Sequence, residues 1–156
     1  MCERSELFIN LNSLIMSSYA IKTYKKGTAI SKPHFYILNK GLNSGKPLEN
    51  PCPNCYVLIA ETSEEKEFYY WITFGLWQSK SFYPFLRGSV IPFIIIGEFK
   101  SCIRIATEEA RTDLQQFKKN VKTLQYLQQK EKNLNDLLIL IKQAKQAIFI
   151  KYKSNR

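Results

Sequence analysis

The sequence predicts an α+β fold: a small mixed domain of short strands with one aromatic helix, followed by a long amphipathic helix or helical hairpin. Three observations carry this. Short runs rich in aromatic and branched residues, at Ser18–Tyr24, His34–Leu38 and Tyr56–Ala60, are separated by turn formers. One amphipathic segment opens behind Thr62-Ser63 with an acidic first turn. Beyond Thr107 the chain contains neither Gly nor Pro. The expected division is 1–107 for the mixed domain and 108–156 for the long helix.

Taken in order, Leu7, Phe8, Leu11, Leu14 and Ile15 fall at helical spacing, with nothing to pin the segment. From Ser18 the pattern alternates, with Tyr19, Ile21 and Thr23 set against Ala20 and Lys22, which predicts a strand. Lys26-Gly27 turns the chain, and His34–Leu38 reads as a second strand. The loop from Asn39 to Pro53 holds Gly41, Asn43, Gly45, Pro47, Asn50, Pro51 and Pro53. Tyr56–Ala60 follows as a buried strand. Thr62 or Ser63 is the expected helix cap, with Glu64, Glu65 and Glu67 favoured by the helix dipole. The helix should run through Phe68, Trp71, Ile72, Gly75 and Leu76, with Pro84 at its end or at the start of a following turn. Arg87-Gly88-Ser89 is a turn, Val90–Ile96 a buried strand, and Gly97–Ile105 a last strand or a short helical turn.

In the C-terminal segment Leu114, Phe117, Val121 and Leu124 are spaced three, four and three apart, as in a coiled-coil seam. Leu134, Leu138, Ile141 and Ile148 resume the stripe after a slip in phase. A helix from Arg111 to Lys151 would be roughly 60 Å long, with Asn133-Leu134-Asn135-Asp136 as the place for a kink or hairpin. Those eight apolar residues are the candidate helix-pairing set, and they predict a homodimer or a heterodimer.

Charge narrows the partner classes. The chain has a net charge of +10 from 23 Lys/Arg and 13 Asp/Glu. Residues 1–48 hold 7 basic against 2 acidic residues, 49–107 hold 5 against 6, and 108–156 hold 11 against 5. Such a basic protein favours a polyanion, either nucleic acid or an anionic membrane surface. Lys22, Lys25, Lys26, Lys32, Lys40, Lys46 and Arg87 are the candidate phosphate contacts. No segment reads as an export signal, and the apolar run Val90–Ile96 is far short of the roughly 20 residues that span a membrane. Four irregularly spaced cysteines, Cys2, Cys52, Cys55 and Cys102, read as reduced thiols in a cytoplasmic protein.

The short motifs reduce to structure. Cys52-Pro53-Asn54-Cys55 offers two zinc ligands, but no second pair completes a site, so a turn with buried thiols is the better reading. Gly41-Leu42-Asn43-Ser44-Gly45-Lys46 lacks the spacing and the Ser or Thr of a phosphate loop and reads as a turn exposing Lys40 and Lys46. His34 has no Ser or Cys partner. No catalytic constellation, metal or cofactor is expected. The dense aromatics from Phe68 to Phe85 are read first as core.

The stretch from Asn50 to Ile105 resembles the second half of a target-recognition domain from type I restriction–modification specificity subunits. The resemblance rests on Tyr56-Val57-Leu58-Ile59-Ala60, then Glu64-Glu65-Lys66-Glu67, Phe68-Tyr69-Tyr70-Trp71 and Gly75-Leu76-Trp77. It continues through Gly88-Ser89-Val90-Ile91-Pro92-Phe93-Ile94 and Gly97-Glu98-Phe99. It implies DNA binding without catalysis, and a long helix, here 111–153, packed antiparallel against a counterpart. The chain is also similar to short uncharacterised bacterial proteins sharing Ser44–Leu48 and Cys52–Cys55. An interaction or inhibitor module acting through the long helix is the alternative function.

Overall fold

The computed structural model describes residues 19–153. Four strands, β1 (Ala20–Thr23), β2 (His34–Leu38), β3 (Pro47–Leu48) and β4 (Cys55–Ile59), form one sheet in the order β1-β4-β2-β3. Three helices follow: α1 (Ser63–Gln78), α2 (Ile96–Thr112) and α3 (Leu114–Lys153). The fold is α+β. It divides into two compact units, the first ending at Thr112 and the second beginning at Asp113. The helical spacing read at residues 7–15 and Cys2 lie outside the described residues.

β1 and β2 both run antiparallel to β4, so they are parallel to each other on either side of it. The chain between them, residues 24–33, must therefore return along the sheet without a helix. Register shows how both faces become buried. Ile21, Leu58 and Phe35 lie in one row, and Lys22, Val57 and Tyr36 in the next. Because side chains alternate, the first row faces one side and the second the other. The first side meets the helices: Phe35 sits edge-on to Tyr70, Tyr56 contacts Phe99, and the Tyr56 hydroxyl donates to the Ile94 carbonyl at 2.8 Å. On the opposite side Tyr36, Cys55 and Val57 are covered by Tyr24 and Ile30 of the returning segment, with Leu48 and Cys52. This two-sided cover explains why β2 and β4 are apolar runs without alternation.

α1 begins where its cap chemistry puts it. The Thr62 hydroxyl accepts the Glu65 N–H at 3.2 Å, and the Glu65 carboxylate accepts the Glu61 N–H at 3.1 Å. Tyr69, Trp71, Ile72 and Phe74 are buried, as is Phe82, whereas Phe68, Tyr70 and Trp77 are half-buried and Tyr83 and Phe85 exposed, so the aromatic stretch is core only in part. The helix stops at Gln78, and Pro84 falls in the following 3-10 turn, Tyr83–Phe85, one of the two places expected for it. Lys80 adopts φ +60°, and the Ser81 and Lys80 amides donate to the Leu76 and Trp77 carbonyls at 2.9 and 3.0 Å. That pair of bonds closes the helix end.

Val90–Ile96, expected as a buried strand, is not one. Pro92 has no N–H to give a ladder, and Gly88 turns at φ +90°. The segment forms a narrow hairpin in which Arg87 and Phe93 exchange two backbone hydrogen bonds of 2.8 Å. Val90 is 89% exposed at its tip, while Ile94 is fully buried. Gly97–Ile105, expected as a strand or short turn, belongs to α2, which buries Phe99, Cys102, Ile103 and Thr107 on one face. α3 begins at Leu114 rather than Arg111, because the Asp113 carboxylate caps it by accepting the Gln116 N–H at 2.9 Å. It runs unbroken through the expected kink: the Gln129 amide donates to the Asn133 side-chain oxygen one turn on, at 2.8 Å.

Candidate nucleic-acid interface

β1 is a sheet edge, and its exposed Lys22 lies on the side crossed by residues 24–33. Two clefts flank it. The first, about 320 Å³, is lined by Lys22, Lys25 and Lys32 together with Tyr24, Thr28 and Ser31. The second, about 550 Å³, lies between β1 and α2 and is lined by Tyr19, Lys22, Lys100, Ser101 and Arg104. Lys22 lines both, and the cations of the two clefts together make up a basic strip bordering β1. Among the described residues no carboxylate lines either cleft. Two acids sit behind the rim: Glu61 pairs with Lys32 at 2.6 Å, and Glu108 with Arg104 at 3.0 Å. Both pairs are solvent-exposed, so each holds its cation only weakly.

Three of the seven sequence candidates, Lys22, Lys25 and Lys32, line these clefts, and Lys26 stands in the adjoining turn, where the Thr28 N–H donates to the Lys25 carbonyl at 3.1 Å. Lys40, Lys46 and Arg87 do not line either cleft. Lys46, read from sequence as exposed, is half-buried with its ammonium 5.2 Å from the centre of the Trp77 ring. Arg87 faces Glu98 at 3.5 Å. Lys40 borders the exposed hairpin beside Ile91 and Phe93. Sequence reasoning missed Lys100 and Arg104, which sit in the near-neutral middle of the chain. Their i,i+4 spacing beside the buried Phe99 and Ile103 was the available signal.

Burial, reinforced by Tyr69, raises the Tyr19 phenol above its ordinary pKa, although Arg104 and Arg111 pull the other way. It thus stays a neutral donor at the cleft wall. The His34 ring lies between two oxygens: Nδ1 donates to the Lys32 carbonyl at 2.8 Å, and Nε2 lies 3.1 Å from the Tyr36 hydroxyl.

Cys52-Pro53-Asn54-Cys55 is a turn entering β4, with Asn54 at φ +60°. Burial and the neighbouring Cys55 push the Cys52 thiol above its usual pKa, and burial with Glu98 does the same to Cys102. Among the described residues no group of three or more His, Cys, Asp or Glu is placed to hold a metal ion. The loop before it is also structural. The Ser44 hydroxyl donates to the Gly41 carbonyl at 2.7 Å, and the Gly45 N–H to the Leu38 carbonyl at 2.7 Å.

On α3 the helix-pairing candidates form two sets. Leu114, Phe117, Val121 and Leu124 are half-buried, whereas Leu134, Leu138, Ile141 and Ile148 are exposed. Among the described residues no helix is long and apolar enough to cross a membrane.

A family model described as "Family of unknown function (DUF6943)" matches residues 21–151. The chain belongs to this family. The DUF6943 match runs from β1 through nearly all of α3, so it takes in both the basic strip and the long helix. No curated protein and no solved structure matches the chain.

Proposed function

We propose that this member of the DUF6943 family is a DNA-binding protein without catalytic activity, resembling a restriction–modification specificity subunit and working in the cytoplasm. One observation supports the reading most: Lys22 joins two clefts whose walls carry Lys25, Lys32, Lys100 and Arg104 and no carboxylate. A polyanion laid along such a strip displaces counterions from several phosphates at once. The hydroxyls of Tyr19, Tyr24, Thr28 and Ser31 supply neutral donors to phosphate oxygens beside the cations.

Fluorescence anisotropy against duplex and single-stranded DNA at low and moderate salt tests this. With four or five phosphates contacted, log K against log salt should fall with a slope of about −4 on duplex. Replacing Lys22 or Lys100 by Gln should lower that slope by about 1 each. No binding to either form at low salt would end the proposal.

The alternative is an interaction or inhibitor module working through α3, and the exposed Leu134, Leu138, Ile141 and Ile148 favour it. In both readings α3 pairs with another helix, from a second copy or from a partner, and Leu138→Glu with Ile141→Glu should abolish the pairing.

A further inference from the structure

We infer that the C-terminal half of α3 is an inner element of a four-helix bundle made by four copies of this chain. This inference rests on the helix-pairing reading above and goes beyond it in number and in partner. The observation is the width of the apolar surface. At about 100° per residue, Leu114, Phe117, Val121 and Leu124 cover an arc of roughly 80°, which one neighbouring helix can bury. Leu134, Leu137, Leu138, Leu140, Ile141 and Phe149 cover roughly 180°, nearly twice the stripe that a helix turns towards a single surface. Ile139 and Ile150 lie outside even that arc. All eight of these side chains from the C-terminal half are exposed on the helix.

A single partner helix leaves about half of this surface in water, whereas two neighbours per helix cover it. Four helices arranged in a square give every member two neighbours. The amount of surface fits a self-assembled unit: the exposed large apolar side chains from Leu134 to Tyr152 amount to on the order of 1,000 Å² per chain, above the roughly 800 Å² each partner gives to a stable complex. Ten of the exposed large apolar residues of α3 fall in 134–152, against Tyr126 and Leu127 before it, so that segment of each copy meets in the core.

Charge makes the test specific. α3 is rich in lysine, with Lys142 and Lys145 in the bundle segment itself and only Asp136 to oppose them. Copies therefore repel one another, and added salt should strengthen their association while weakening any complex with a polyanion.

The test is sedimentation equilibrium on the full chain, freed of nucleic acid, at tens of micromolar in 0.15 and 0.5 M salt. A tetramer that tightens at the higher salt is expected. Leu140→Gln with Phe149→Gln, at the two rims of the arc, should reduce it to a dimer. Ile141→Gln with Ile148→Gln, near the centre, should yield monomer. Far-UV circular dichroism on each variant separates lost assembly from lost helix. A wild-type dimer would overturn the bundle and leave helix pairing standing. A wild-type monomer would overturn the bundle and pairing with a second copy, leaving only pairing with a partner's helix, and a tetramer that dissociates as salt is raised would overturn the bundle.

Discussion

At Lys80 a side chain occupies the left-handed region, φ +60°, to close α1. For a residue with a Cβ this conformation costs about 1–2 kcal/mol, and glycine avoids the cost. Lys80 also places its ammonium 5.7 Å from the Tyr83 ring, an exposed contact with a smaller opposing effect. Lys80→Gly should therefore stabilise the protein by about 0.5–1 kcal/mol, read as a higher midpoint in urea at unchanged slope. Gly45 is the reverse case. Its φ is +92°, and a Cβ there would overlap the Phe82 ring, which is fully buried. Gly45→Ala should cost about 2–4 kcal/mol through combined backbone strain and overpacking. A variant as stable as the parent would mean that Phe82 can move aside.

The elements divide by how local their causes are. β2 was legible to the residue because aromatic and branched side chains fill His34–Leu38 between turn formers. The start of α1 was equally legible, since Thr62 and Glu65 satisfy orphan amides within one turn. Val90–Ile96 misled because its composition suits a strand, whereas Pro92 and Gly88 admit only a narrow hairpin. The break at Asp113 was written in a single capping residue between two helical stretches of similar composition. The helix continues past Asn133, where an exposed amide bridge one turn apart offsets part of the weak helix preference of Asn. The basic strip was half legible. Lys22, Lys25, Lys26 and Lys32 are close in sequence, but Lys100 and Arg104 reach β1 only because α2 packs on the sheet.

For the whole molecule, one consequence of burial is a stability limit at alkaline pH. The Cys52 and Cys102 thiols and the Tyr19, Tyr56 and Tyr70 phenols are all raised, each chiefly by burial. In the unfolded chain these groups lose protons near their ordinary values of 9.0 and 10.0, and in the folded protein only higher. Above the ordinary values the unfolded state binds fewer protons, so stability falls as pH rises. A melting temperature without a thiol or phenol contribution below about pH 8, declining from about pH 9 upward, is the expected profile. A Cys52→Ser, Cys102→Ser variant should begin its decline about one pH unit later, where only phenols ionise.

The sequence alone determined those features whose causes lie within a few residues. These are the α+β class, the principal strands β2 and β4, the cap of α1, the helical character of the chain after Thr107 and the excess of positive charge. Only the tertiary structure decided the sheet order β1-β4-β2-β3, the helix-free return of residues 24–33 and the meeting of Lys22 with Lys100 and Arg104. Alternation and capping act over one or two turns of chain, so a linear reading captures them. Strand order depends on which apolar faces can be covered at once, and the Lys22–Arg104 juxtaposition joins positions 82 residues apart in sequence. No local pattern encodes that proximity; it exists because Phe99 and Ile103 must be buried against the same sheet that ends in β1.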